Sequence, residues 1–156
     1  MAIRANDQQV LDDLYAQYKS AYGGAKQDYF ALAYLRKRFK IEIDDLKYRV
    51  AFNGNDYGID AYFIDGEAHN LYLYQFKWTE NYALFKDSMV RLTNYGIDRV
   101  FGNPTQDTTQ NELIVYLKKE LMRIGTKSAG FIYILSLRVM SMHAKRAKAW
   151  LIDGRT

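Results

Sequence analysis

The chain has 156 residues, 49% of them hydrophobic and 26% charged, enough for one domain with its own core. Cysteine is absent and only His69 and His143 carry imidazoles. This excludes a disulfide framework, a thiolate metal site, a cysteine nucleophile and any site built from several histidines. Residues 1–78 hold 10 Lys/Arg against 11 Asp/Glu and residues 79–156 hold 12 against 7, the origin of the net charge of +4. A basic half beside an acidic one permits a nucleic-acid partner without requiring it. The longest uncharged apolar stretch, Ala129–Leu137, falls well short of the ~20 residues of a membrane span. Met1–Val10 has no apolar core and carries Arg4 and Asp7, unlike a signal peptide. A cytoplasmic protein with no membrane partner is therefore expected.

Val10, Leu11, Leu14, Tyr15 and Tyr18 recur at helical spacing, and Gly23-Gly24 ends that helix. A second helical pattern runs from about Asp28 to Phe39, with Phe30, Ala31, Leu35 and Phe39 on its buried side. From Leu46 the period changes. Leu46–Phe52, Ile59–Ile64 and Leu71–Trp78 are aromatic or β-branched runs of strand length. Asp65-Gly66 favours a tight reversal, so residues 58–78 read as a β-hairpin. Helices return at about Ala83–Tyr95, with Leu84, Phe85, Met89 and Leu92 apolar, and after a capping box at Thr109-Gln110-Asn111-Glu112 through to about Arg123. Phe131–Val139 reads as a fourth strand and Met142–Trp150 as a last helix. The order predicts an α/β sandwich around a mixed sheet of about four strands flanked by helices.

Chemistry concentrates in the hairpin. Alternation places Leu71, Leu73, Gln75 and Lys77 on one face of the third strand and Tyr72, Tyr74, Phe76 and Trp78 on the other. A lysine on such a strand wants an anionic partner, and Asp60 on the adjacent strand is the natural one. A carboxylate with an amide or carbonyl oxygen can hold Mg²⁺, which keeps several waters. The metal polarises a phosphoryl oxygen and acidifies water, and a nearby lysine can orient that water or stabilise developing charge.

The pair Gly58-Ile59-Asp60 and Gln75-Phe76-Lys77 resembles the D…QxK variant of the PD-(D/E)xK, restriction-endonuclease-like nuclease core. The segment Asp56–Asp65 followed by Leu73–Trp78 is similar to the amino-terminal domain of abortive-infection phage-resistance (AIPR) proteins. The resemblance covers about residues 56–78 and extends loosely, through the order of elements, over 28–139. It implies an αβββαβ core and Mg²⁺- or Mn²⁺-dependent endonuclease cleavage of nucleic acid, DNA above all, in anti-phage defence. It implies further that residues 1–156 form a single nuclease-like domain at the front of a longer protein. Asp60 becomes the metal-binding acid and Lys77 the catalytic lysine, with Gln75 where the commoner pattern has an acid. The Phe76 backbone carbonyl, and Asp28 as the acid of the first core helix, would complete the metal's oxygen set. Apart from the resemblance, Asp56 is placed to be a secondary acid beside the metal. Two-strand cleavage calls for two active sites, which a homodimer supplies.

Plainer readings stand beside these. Asp60 and Lys77 can form an ordinary cross-strand ion pair, Gln75 a strand hydrogen bond, Asp28 a favourable charge at a helix N-terminus and Asp56 an Asx turn. Arg36, Lys37 and Arg38, Lys118 and Lys119 (with Arg123 and Lys127), and Lys145, Arg146 and Lys148 are candidate phosphate contacts or simply solvated surface. The rivals to a nuclease are a catalytically weak or inactive nucleic-acid-binding module of the same fold and a scaffold or dimerisation domain.

Overall fold

A computed structural model of the chain describes residues 5–77, 81–102, 111–127 and 134–141. Helix α1 spans Ala5–Tyr22 and buries Leu11 and Leu14. It stops where Gly23 and Gly24 adopt φ of 69° and 75°, a conformation that costs glycine nothing. Helix α2, Asp28–Phe39, has an acid in its first turn and Arg36, Lys37 and Arg38 in its last, as the helix dipole prefers. Its buried residues are Tyr29, Ala31, Leu32 and Leu35, while Phe30 and Phe39 are only partly covered. Lys40 caps it in the left-handed region, its N–H donating to Arg36 O.

The run Leu46–Phe52 does not form the expected strand. Ile43–Leu46 is a helical turn, α3, continued by a 3₁₀ turn over Lys47–Arg49, and only Val50 bridges to Ala61. Ile43, Leu46 and Val50 are all buried, and their spacing of three and four is helical. Two acids in the first turn, Asp44 and Asp45, favour the same outcome, and this local pattern outweighs the β propensity of the aromatic and branched residues. The hairpin itself forms as read: β1, Ala61–Asp65, pairs antiparallel with β2, Asn70–Lys77, in a register of Ala61 with Tyr74 through Asp65 with Asn70. Asp65 Oδ1 accepts from the Glu67 and Ala68 N–H groups and so ties the reversal.

Helix α4, Tyr82–Arg91, passes through a π-helical turn, Leu92–Gly96, into α5, Ile97–Phe101. The helical path thus runs past the expected end at Tyr95. Its covered side follows Ser88 and Leu92, and Leu84 faces solvent instead of the core. Helix α6, Glu112–Lys127, starts at Asn111, whose Oδ1 accepts from Leu113 N–H. Thr109 and Gln110 of the expected capping box lie outside the described residues. Strand β3, Ile134–Ser141, pairs parallel with β2, from Asn70 with Ile134 to Lys77 with Ser141. Parallel pairing needs a long crossover, which α4–α6 provide. Residues 131–133 of the expected fourth strand, and the expected helix Met142–Trp150, lie outside the described residues.

The chain is α/β. Among the described residues the sheet has three strands in the order β1-β2-β3, one fewer than expected because the chain is helical up to Arg49 and beyond it only Val50 bridges to Ala61. Alternation along β2 divides the core. Tyr74 and Phe76 pack with α1 and α2, ring against ring with Tyr34 and Phe30. Leu71 and Leu73, with Tyr62 and Ile64 of β1, pack with Leu92, Val100, Leu113, Ile114 and Leu117. Both sheet faces are therefore covered by helices, as the two apolar sides of β2 require. Among the described residues no helix is long and apolar enough to cross a membrane.

Candidate active site at the open end of the hairpin

The register carries Asp60 to the position opposite Gln75, one step before β1 begins. Asp60 N–H donates to Tyr74 O and its own carbonyl accepts from Ala51 N–H, both at 2.8 Å. Its side chain turns to β2: Oδ2 accepts from Gln75 Nε2 at 2.7 Å and from the backbone N–H of Phe76. A strand N–H facing the side where its neighbour has ended needs an acceptor, and this carboxylate supplies it. Lys77, two residues beyond Gln75, shares its face and is half-buried at the end of the strand. Among the described residues Lys77 and Asp60 form no ion pair. The cross-strand pair that the alternation suggested is thus not made, and the acid is tied to Gln75 and the Phe76 amide instead.

Burial dominates the electrostatics of Asp60. It raises the carboxyl pKa, and the negative charges of Asp56 and Asp28 push the same way. The Phe76 and Gln75 donors pull against them, and the balance lies at about 7. Asp28 is raised as well, first by burial and then by Asp56, against hydrogen bonds from the backbone of Ala25 and Asn53. The three acids therefore sense one another, although Asp28 comes from α2 and Asp56 and Asp60 from the loop before β1. Each also has a structural task. Asp28 Oδ2 accepts from Ala25 N–H at 2.8 Å and stiffens the α1–α2 turn; Asp56 Oδ1 accepts from Gly58 N–H at 2.7 Å in an Asx turn.

Gly58 matters by its lack of a side chain. With φ of 86°, it would place a Cβ 2.9 Å from Gln75 Oε1 and 3.0 Å from the Leu92 N. The turn that presents Asp60 is thereby pressed between the Gln75 amide and the start of the π-helical turn. Gly96, at the other end of that turn, lies as close to Ile59 and to Tyr57 O, and the Arg99 guanidinium stands 4.3 Å over the Tyr57 ring. A π-turn in a helix often marks a functional neighbourhood.

Among the described residues no three His, Asp or Glu side chains gather closely enough to hold one ion. A closed carboxylate cage is thus not present. One buried carboxylate, a second acid whose charge it senses and a strand carbonyl are the kinds of oxygen a sparsely ligated hard cation takes; the Gln75 amide turns its nitrogen to Asp60 and its oxygen to Gly58. The N–H and C=O of one strand residue leave on the same side, so the Phe76 carbonyl faces the side of β2 on which Asp60 lies.

The basic clusters do not come together. Arg36, Lys37 and Arg38 are exposed at the end of α2, about 12–15 Å along the helix from Asp28. Lys118 and Lys119 stand on α6, in the opposite layer; Lys145, Arg146, Lys148 and His143 lie outside the described residues. The basic group shown beside the acid-bearing turn is the Arg99 guanidinium, over Tyr57; the main chain of Arg91 also abuts Gly58, its backbone carbon 3.2 Å from where a Cβ would stand. Nothing in their sequence positions singled them out, because their link to the turn is tertiary. Comparison with family models, curated proteins and solved structures finds no match.

Proposed function

We propose that this chain is a Mg²⁺- or Mn²⁺-dependent nuclease domain of the PD-(D/E)xK, restriction-endonuclease-like class in its D…QxK form. Its target would be the phosphodiester backbone of DNA, and its setting a longer anti-phage defence protein. The observation that carries this reading is the meeting of Asp60 with Gln75 and the Phe76 amide, with Lys77 on the same face. A buried acid whose pKa is lifted to about 7 by burial and by two neighbouring acids is an acid that a cation would stabilise in its charged form.

In this reading Asp60 anchors the cation, with the Phe76 carbonyl, Asp56 or Asp28 as further oxygens. Bound there, a hard divalent ion supplies Lewis-acid polarisation of a phosphoryl oxygen and a more acidic water. Asp60 must release its proton to serve, and burial, which raises its pKa, opposes that release until a cation is bound. Gln75 fixes the carboxylate through Nε2 and keeps the site one negative charge poorer than an acid would. Lys77, at the strand end, orients water or places positive charge where the phosphoryl group gains negative charge. Gly58 leaves the space in which the Gln75 amide sits.

The test is Mg²⁺-dependent cleavage of a plasmid by Lys77→Ala. Cleavage is expected to vanish while the thermal melt barely moves; undiminished cleavage by the folded variant would sink the assignment. The lack of a tight three-acid group among the described residues favours, as a second reading, a binding module of the same fold with a weakened site. That reading expects DNA affinity that falls steeply with salt and no cleavage with either Mg²⁺ or Mn²⁺.

A further inference from the structure

The loop that carries Asp56 and leads into Asp60 holds a rare backbone. Asn53, Gly54 and Asn55 stand in sequence at φ of 72°, 75° and 54°, and Tyr57 and Gly58 follow at 54° and 86°. Asparagine tolerates the left-handed region, but tyrosine seldom enters it. Such a run persists only where its surroundings fix it.

Two clamps do so. On one side, Asn53 Oδ1 accepts from Gly24 N–H at 2.8 Å. On the other, Asn111 Nδ2 donates to Phe52 O at 3.0 Å and to Gly54 O at 2.5 Å. The Oδ1 of the same Asn111 accepts from Leu113 N–H at 3.0 Å and caps α6. Asn111 is 8% exposed, so these bonds have little competition from water. One buried amide thus grips the loop with its nitrogen and a helix with its oxygen.

We propose that Asn111 is a positioning residue for Asp56 and Asp60: by holding the Phe52 and Gly54 carbonyls it fixes the left-handed loop that sets where these two acids stand, and it ties divalent-cation affinity to the seating of α6. This inference rests on Asp60 as the cation's anchor. The two tasks use different atoms, so they separate by substitution. Serine is a strong helix N-cap but has no amide nitrogen to give to two carbonyls. Asn111→Ser therefore keeps the cap and releases the loop, whereas Asn111→Ala loses both. Asn111→Asp, another strong N-cap without the amide donor, repeats the test should the serine variant fail to fold.

The measurements are thermal melting, hydrogen exchange of the amides of residues 54–59, and Mn²⁺ titration followed by water-proton relaxation, all on the 156-residue chain. The cap-keeping variant is expected to melt above Asn111→Ala. Its loop amides should exchange about tenfold faster than those of the unsubstituted chain, and its Mn²⁺ affinity should fall about tenfold, as when support behind a metal ligand is removed. Unchanged loop exchange and unchanged Mn²⁺ affinity in that variant overturn the proposal. If the unsubstituted chain itself takes up no Mn²⁺, the cation reading fails on its own account. Loop exchange then decides the clamp alone: faster exchange upholds it as an anchor of the loop, and unchanged exchange removes it.

Discussion

Gln75 and Asp60 meet just beyond the last paired residue of β1, Gln75 Nε2 donating to Asp60 Oδ2 at 2.7 Å while the adjacent Phe76 N–H donates to the same oxygen. A side-chain carboxylate here continues the work of a strand. Where β1 has not yet begun, its oxygen takes the place of the carbonyl that would satisfy β2. The acid is thereby immobilised and drawn out of water at once. Precise placement of a charged group comes with a tendency to lose that charge.

That tension is measurable as a pH dependence of stability. The folded pKa of Asp60, about 7, lies above its ordinary value of 3.8, so the folded state binds the proton more tightly than the unfolded one. The contribution is whole below about pH 4, is lost as pH rises to about 7 and changes no further above it. At 1.36 kcal/mol per tenfold in proton affinity, the loss is on the order of 4 kcal/mol. Asp60→Asn cannot ionise and escapes it. Urea denaturation at pH 4, 6 and 8 should find the variant close to the unsubstituted chain at the lowest pH and more stable at the highest. A stability difference independent of pH would show that burial does not govern this carboxyl.

Gly58→Ala attacks the same geometry from the turn. The backbone at φ of 86° strains any L-residue, and the new methyl would lie 2.9 Å from Gln75 Oε1 and 3.0 Å from a backbone nitrogen of the helix. The side-chain amide can yield, but the helix backbone cannot yield cheaply. The expected loss is about 2–4 kcal/mol, which for a chain of this size lowers the melting temperature by roughly 5–15 °C. Weaker Mn²⁺ binding should accompany it as Gln75 is pushed off Asp60. A melt within about 1 °C of the unsubstituted chain would mean that the turn relaxes freely.

The relation of sequence to structure differs between these features. Helix α2 and the hairpin were legible because each is set by a local pattern: acid first and bases last around an apolar stripe, or two alternating runs about a turn. Alternation also put Gln75 and Lys77 on one face, but it offered Lys77 as the partner of Asp60, where the structure has Gln75 and the Phe76 amide. Residues 46–52 misled because their β-forming side chains hid the helical spacing of Ile43, Leu46 and Val50, all three of which are buried. Asn111 was legible only as part of a capping box. Its grip on Phe52 and Gly54 joins positions 59 and 57 residues apart, beyond the reach of any periodicity. The approach of Asp28 to Asp60, and the separation of the α2 and α6 basic clusters into opposite layers, are likewise products of tertiary packing.

A second polar network offers a control for stability without chemistry. Tyr62 OH donates to Glu120 Oε2 at 2.8 Å and Arg49 donates to Glu120 Oε1 at 3.2 Å, joining β1, the 3₁₀ turn and α6. Burial and the Glu120 charge both raise the Tyr62 pKa, so the phenol stays a donor. Glu120→Ala strands two donors at once and should cost about 1–3 kcal/mol, against about 1 for Tyr62→Phe, which removes a single bond. A double-mutant cycle between the two should return a coupling of at least about 0.5 kcal/mol. Plasmid cleavage at 25 °C should be unaffected by either, since neither residue hydrogen-bonds to Asp60, Gln75 or Asp56. Loss of cleavage in the folded Tyr62→Phe variant would show that the network reaches the site.

The last expectation concerns where a phosphate backbone runs. Arg38 closes α2 far from its first residue, Asp28, whereas the main chain at Arg91 abuts Gly58 and its exposed side chain starts beside the turn that presents Asp60. If a duplex is brought to Asp60, Arg91 is thus the nearer candidate for a phosphate contact and Arg38 the more distant one. Removing one cation that neutralises a phosphate lowers the slope of log affinity against log salt by about 0.9. Arg91→Gln should weaken binding of a fluorescent duplex, measured by anisotropy without divalent ions, and flatten its salt dependence by about that amount. Arg38→Gln should leave both unchanged. The reverse outcome would place the duplex over the end of α2, on the sheet's other layer, and would separate DNA binding from the carboxylate that the hairpin holds.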